Sequence, residues 1–199
     1  MFTRAVTFTG ATDIDAGVRY LRDTVAPLLR EQKGFRGAIG SADRAAGVLG
    51  VLTLWETEAE RDASESGLMR TREEGLRIIG GEMNVENYEE LRAEPAESPA
   101  VGSVLLLRRI RVDPAKIEET MDFFAREVMP RMKAAPGFRA VRNMVNRQTG
   151  EGRVGSVWAD KASMEAWEKA AGALRQQSGQ RGVTFAERSE REIVFAELR

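Results

Sequence analysis

The chain has 199 residues, 42% apolar and 31% charged, enough for one large core or two small ones. Thirty basic and 31 acidic side chains nearly cancel, which leaves no electrostatic footprint for nucleic acid or an anionic membrane surface. Without cysteine or histidine it has no disulfide, thiolate nucleophile, imidazole base or commonest metal ligand, so no metal centre is expected.

In chain order, 2–9 alternates as a strand, and Ile14, Val18, Leu21 and Val25 then mark one apolar face of a helix over 13–33. Pro27 falls late in that helix, where a proline should kink or end it. Strands are predicted over 36–43 and 47–56, a helix over 57–78 and a strand over 84–91. Two prolines and small polar residues in 93–103 (AEPAESPAVGS) read as a linker. The second half opens with a strand over 104–112, and Asp113-Pro114 then caps a helix to about Lys133. Strands over 138–147 and 153–158 flank the turn NRQTGEG; a helix over 160–174 and a strand over 192–198 follow. The opening MFTRAVTFTG lacks the apolar core of a signal peptide, and the longest apolar run, 48–55, is far short of the roughly 20 residues of a membrane span. The expected location is the cytoplasm.

The two halves are one unit written twice. KGFRGAIG at 33–40 and PGFRAVRN at 136–143 lie 103 residues apart, and the same offset carries Val25 onto Val128, Pro27 onto Pro130, Val51 onto Val154 and Trp55 onto Trp158. Near the end the offset becomes 107, because Glu90-Leu91-Arg92 matches Glu197-Leu198-Arg199; the extra residues are assigned to the polar stretch 176–182. Each half has the order β-α-β-β-α-β, the ferredoxin-like unit. The fold class is α+β, with the first repeat at 1–93, a linker at 94–101 and the second repeat at 102–199. Helices cover one face of such a sheet, so the other needs a cover, and a second copy supplies it. The expectation is an intramolecular pseudo-dimeric α+β barrel, to which a further homodimer could be added.

A helix ending in PGF, a hairpin, and a strand closing on Trp before an Ala- and Glu-rich helix (LWETEAERDASE and VWADKASMEAWE) resemble the antibiotic biosynthesis monooxygenase-like proteins of the dimeric α+β barrel superfamily. The resemblance covers nearly the whole chain. It implies a cofactor-independent monooxygenase acting on a small aromatic, quinol or polyketide-type molecule, with no cofactor. Where many relatives place a His nine residues after the Trp, this chain has Ser64 and Trp167. The Asn and Tyr that actinorhodin-type oxygenases place four residues before and six after the Trp are Val51 and Arg61 in one copy, Val154 and Met164 in the other. Haem degradation, which commonly uses a His ligand, is not expected.

Trp55 and Trp158 are the leading catalytic candidates, since an indole N–H at a strand end can stabilise a developing anion. The alternative is that both are packing residues. Asn143, the third catalytic candidate, and Arg142 occupy alternating positions on one strand, so one of them faces inward. Tyr20, Phe123, Phe124, Arg142 and Trp167 are candidate substrate contacts. Arg36 and Arg139 recur in both copies, which suggests a shared structural ion pair. Copy one has Ala38-Ile39-Gly40 where copy two has Val141-Arg142-Asn143, which makes the second copy the place to look for a site. The rival reading is a non-catalytic small-ligand-binding or stress-response barrel.

Overall fold

The computed structural model describes residues 1–95 and 99–199. Its strands are β1 (Phe2–Thr9), β2 (Phe35–Asp43), β3 (Val48–Trp55), β4 (Glu82–Pro95), β5 (Val104–Val112), β6 (Phe138–Val145), β7 (Glu151–Trp158) and β8 (Val183–Leu198). The helices are α1 (Ile14–Tyr20), α2 (Ala26–Arg30), α3 (Glu58–Ile79), α4 (Ile117–Phe123), α5 (Met129–Ala134), α6 (Lys161–Ala170) and α7 (Gly172–Gln180). The strands are hydrogen-bonded in the order β1-β3-β2-β8-β5-β7-β6-β4 and close on themselves, so the tandem α+β barrel predicted from the duplication is the fold.

Pro27 and Pro130 stand at the second residue of α2 and α5. A mid-helix proline lacks an N–H and presses on the carbonyl four residues back. Both repeats answer with one wider, π-helical turn, Leu21–Val25 and Phe124–Val128. In these turns the N–H of Ala26 donates to the carbonyl of Leu21, and that of Met129 to Phe124. The helix therefore continues past the proline, to Arg30 and to Ala134.

The repeated Gly-Phe-Arg is a joint with three parts. Gly34 and Gly137 have φ of 74° and 75°, and a Cβ on either would lie 2.1 Å from Glu60 Oε2 or 2.4 Å from Ser163 Oγ. Phe35 and Phe138 then meet Trp55 and Trp158 edge-on, with ring centroids 5.7 and 5.6 Å apart. Arg36 and Arg139 are the extra residues where the β2–β3 and β6–β7 ladders slip by one, a bulge in each copy. Arg36 pairs with Glu56 at 2.5 Å on the surface.

The chain forms two compact units, and their limits differ from the sequence boundaries at 93 and 102. Unit one comprises Met1–Asn87, Ala100–Gly102 and Glu192–Arg199; unit two comprises Tyr88–Pro99 and Ser103–Arg191. The physical reason lies in β4 and β8, of 14 and 16 residues, each of which contributes its two ends to different units. Residues 89–95 pair with β6 in unit two, and residues 192–198 pair with β2 in unit one. Unit one buries Val6, Phe8, Leu49, Ile79 and, around Trp55, Leu29, Phe35 and Leu68. Unit two buries Leu106, Val141, Met164 and the Trp158–Trp167 pair, with a second cluster at Ile110, Met121 and Val145.

Three sequence expectations are corrected. The strands over 84–91 and 192–198 are much longer, because their polar ends are held by backbone ladders and ion pairs that leave no apolar alternation. Part of the presumed linker, 94–95, belongs to β4, and residues 96–98 lie outside the described residues. The helix expected over 160–174 is two helices and reaches further: α6 ends at Ala170, and α7 carries the chain through Gln176 to Gln180.

Candidate functional site

Period-two alternation in unit two puts Leu106, Arg108 and Ile110 of β5, Asn143 of β6, and Val154 and Ser156 of β7 on one face of the sheet. The π turn and its neighbours bring Met121, Phe124, Val128 and Met132 over that face, and α6 and α7 bring Trp167, Glu168, Leu174 and Arg175. Between these layers lies a cavity that offers about 90 Å³ to the centre of a water-sized sphere. That is several times the roughly 10–15 Å³ that admits one water. Its wall is mainly apolar.

Few polar groups line this cavity, and their partners decide what each can do. Glu168 is engaged on every side: it pairs with Arg108 and with Arg175 Nη1 at 3.0 Å, Arg188 Nε lies 3.6 Å away, and Arg175 Nη2 donates to its carbonyl at 2.7 Å. Its carboxylate is thus a fixed counter-ion to these arginines. Ser178 Oγ donates to the carbonyl of Leu174. Asn143 is different. The residue is 1% exposed, and its Nδ2 has no hydrogen-bond partner. Arg108 Nε, on the same wall, is also buried without one. Buried donors are rarely left empty, because desolvation without a bond is costly.

The tryptophans have another part. Trp55 and Trp158 are fully buried, and each indole donates at 2.9 Å to the hydroxyl two residues before it, Thr53 Oγ1 or Ser156 Oγ. Neither lines this cavity or the smaller one in unit one. Trp158 instead stacks on Trp167 at 5.7 Å, so it backs the ring that does line the cavity, and Ser156 is shared between indole and cavity. Sequence reasoning overlooked this hydroxyl, although TLW at 53–55 and SVW at 156–158 displayed it twice.

The remaining candidates separate. Phe124 and Trp167 line the cavity with Asn143. Phe123 packs under Arg181, whose guanidinium carbon is 4.2 Å from the ring centroid, and borders a charged surface groove instead. Arg142 points to the opposite side of β6 from Asn143 and is paired with Glu90, both nearly buried. Tyr20 lies in unit one, beside a cavity of about 70 Å³. Its hydroxyl donates to the carbonyl of Thr71, and burial, with Glu74 nearby, raises its pKa, so it stays protonated.

That first-repeat cavity has the same scaffold and no idle donor. Gly40 replaces Asn143, and a Cβ there would lie 2.8 Å from a Leu21 methyl, so leucine occupies the space of the amide. Its buried cation, Arg4, is matched by Ser64 Oγ at 3.0 Å, Glu65 at 3.0 Å and Asn87 Oδ1 at 3.2 Å, and desolvation lowers its pKa. Among the described residues no group of three or more Asp or Glu side chains could hold a metal, and no helix is long and apolar enough to cross a membrane.

Residues 103–183, which contain this cavity apart from Phe185, match the family described as antibiotic biosynthesis monooxygenase. An uncharacterized protein of Mycobacterium tuberculosis is 23% identical over 201 residues, covering all of this chain and 90% of its own. Solved structures share the fold from end to end. A candidate monooxygenase from Lactobacillus acidophilus has a TM-score of 0.71 at 14% identity, covering 99% of this chain and 96% of its own. One from Fusobacterium nucleatum has 0.70 at 11%, covering 100% and 94%. An anthrone oxidase-like protein has 0.69 at 15%, covering 99% and 92%.

Proposed function

We propose, from the premise that the second repeat is a domain of the antibiotic biosynthesis monooxygenase family, that this protein is a monooxygenase-like enzyme whose working site is the cavity of that repeat. Its substrate is a small electron-rich aromatic of the quinol or anthrone kind. The observation that carries the proposal is the buried, unpartnered Nδ2 of Asn143 on an otherwise apolar wall. A ligand oxygen is what that donor lacks. The substrate, once deprotonated, would itself deliver electrons to dioxygen; the protein need only exclude water, hold the ring against Trp167 and Phe124, and place a donor at the oxygen that carries charge. With Glu168 neutralised by its arginines, the proton leaves through the substrate's own acidity or to solvent.

The test is oxygen uptake with anthrone and with hydroquinone-type substrates, wild type against Asn143→Leu. Uptake above the protein-free rate that Asn143→Leu abolishes is expected; uptake equal to that rate for every substrate would sink the enzymatic reading. A second reading, a non-catalytic ligand-binding barrel, is favoured by both indoles being occupied internally. It holds if these compounds raise Tm without consuming oxygen.

A further inference from the structure

We infer that the second-repeat cavity selects its aromatic ligand as a monoanion, held by Arg108 Nε and Asn143 Nδ2 together; this rests on the reading of that cavity as a ligand site. The cavity wall carries two guanidiniums, Arg108 and Arg175, and one carboxylate, Glu168. Arg188, which also approaches Glu168, has its own acid in Glu190. One positive charge on the wall is therefore unmatched. Arg108 shows where: its terminal nitrogen pairs with Glu168, while its Nε–H is buried without an acceptor.

The second donor sits in register with the first. Arg108 and Asn143 both pair across Val154, from β5 and β6 respectively, so their Cβ atoms are two strand spacings apart, about 10 Å. The Nε of arginine lies three bonds beyond Cβ and closes much of that gap. An aromatic acid or phenolate lying over Val154, edge towards Trp167, presents oxygen to both donors. A charged acceptor gains more than a neutral one here, since a hydrogen bond with an ionised partner is roughly twice as strong and the site is poorly hydrated. The first repeat shows the contrast: β1 has Val6 where β5 has Arg108, and Gly40 stands where Asn143 does, so neither donor is present.

Titration calorimetry at pH 7 with two isosteric pairs, benzoate with benzamide and 1-naphthoate with 1-naphthamide, tests the charge alone. The carboxylate of at least one pair should bind ten-fold or more tightly than its amide. Arg108→Gln should bring that ratio close to one, and Arg108→Lys, which keeps the charge, should restore part of it. Asn143→Leu should weaken both members. Equal affinities for acid and amide in the wild type would overturn the inference while leaving the cavity a ligand site. No binding by any of the four would overturn both. The wild-type comparison decides even if an Arg108 variant fails to fold.

Discussion

Asn143 and the two Trp-hydroxyl pairs make opposite predictions about stability. Ser156→Ala strips the acceptor from a fully buried indole and should cost about 1–3 kcal/mol in denaturant unfolding, as should Thr53→Ala in the first repeat. A polar group kept for binding behaves the other way. Asn143→Leu removes an idle buried donor at similar volume, so it should leave stability unchanged or raise it by up to about 1 kcal/mol while ligand affinity is lost. Loss of stability comparable to that of Ser156→Ala would mean that the amide is structural. Asn143 was legible in the sequence only as one of an alternating pair, with Arg142, that differs between the copies and has one inward member; which of the two faces inward was left open. The paired donor Arg108 was not, because VLLLRRIRV offers two adjacent arginines and nothing in the string shows which loses solvent.

Among the elements, the joint at Gly34 and Gly137 has no room for a side chain. Gly137→Ala combines a left-handed φ with a Cβ 2.4 Å from Ser163 Oγ, so a loss of about 1–3 kcal/mol is expected from the backbone strain alone, more with the clash, read as a lower midpoint in urea. Gly67→Ala is the control, since a Cβ there meets nothing closer than 3.6 Å in the middle of α3; it should be neutral or stabilising. The element order and the helix ahead of the joint were legible because they rest on local periodicity and a repeated offset. The π turns were foreshadowed by the prolines only as disruption, since a sequence shows the missing N–H and not how the helix absorbs it. The outer ends of β4 and β8 were invisible for a different reason. Stretches such as AERSERE are kept extended by neighbours far away in the chain, and their side chains meet solvent or opposite charge rather than a core.

For the molecule as a whole, the lack of histidine and cysteine removes every side chain that ordinarily titrates near neutrality. Stability should therefore be flat from about pH 6 to 9. It should fall on the acid side. Asp160 is held below its ordinary pKa by the N–H and hydroxyl of Ser163, and Glu197 by Arg30. Carboxyls depressed in the folded state stabilise it above the unfolded value and lose that contribution as pH drops through the folded one. Thermal melts between pH 3 and 9 check this, and a midpoint that changes steeply between pH 6 and 7 would contradict it. Ending the chain at residue 191 should remove the β8 rungs on β2, fully buried Ile193 among them, and strip Val194 from the cluster that packs Leu49 and Phe195 from the one that packs Trp55. Amide exchange should then show the first unit losing protection, although every deleted residue comes from the second repeat. The tandem arrangement also breaks a constraint that binds symmetric assemblies. In a homodimer of single repeats every substitution is made twice, so an amide left unsatisfied for a ligand would weaken both sites at once. Here leucine takes the place of the amide beside one cavity while asparagine keeps an idle donor in the other, so the cost of that donor falls once per chain instead of twice.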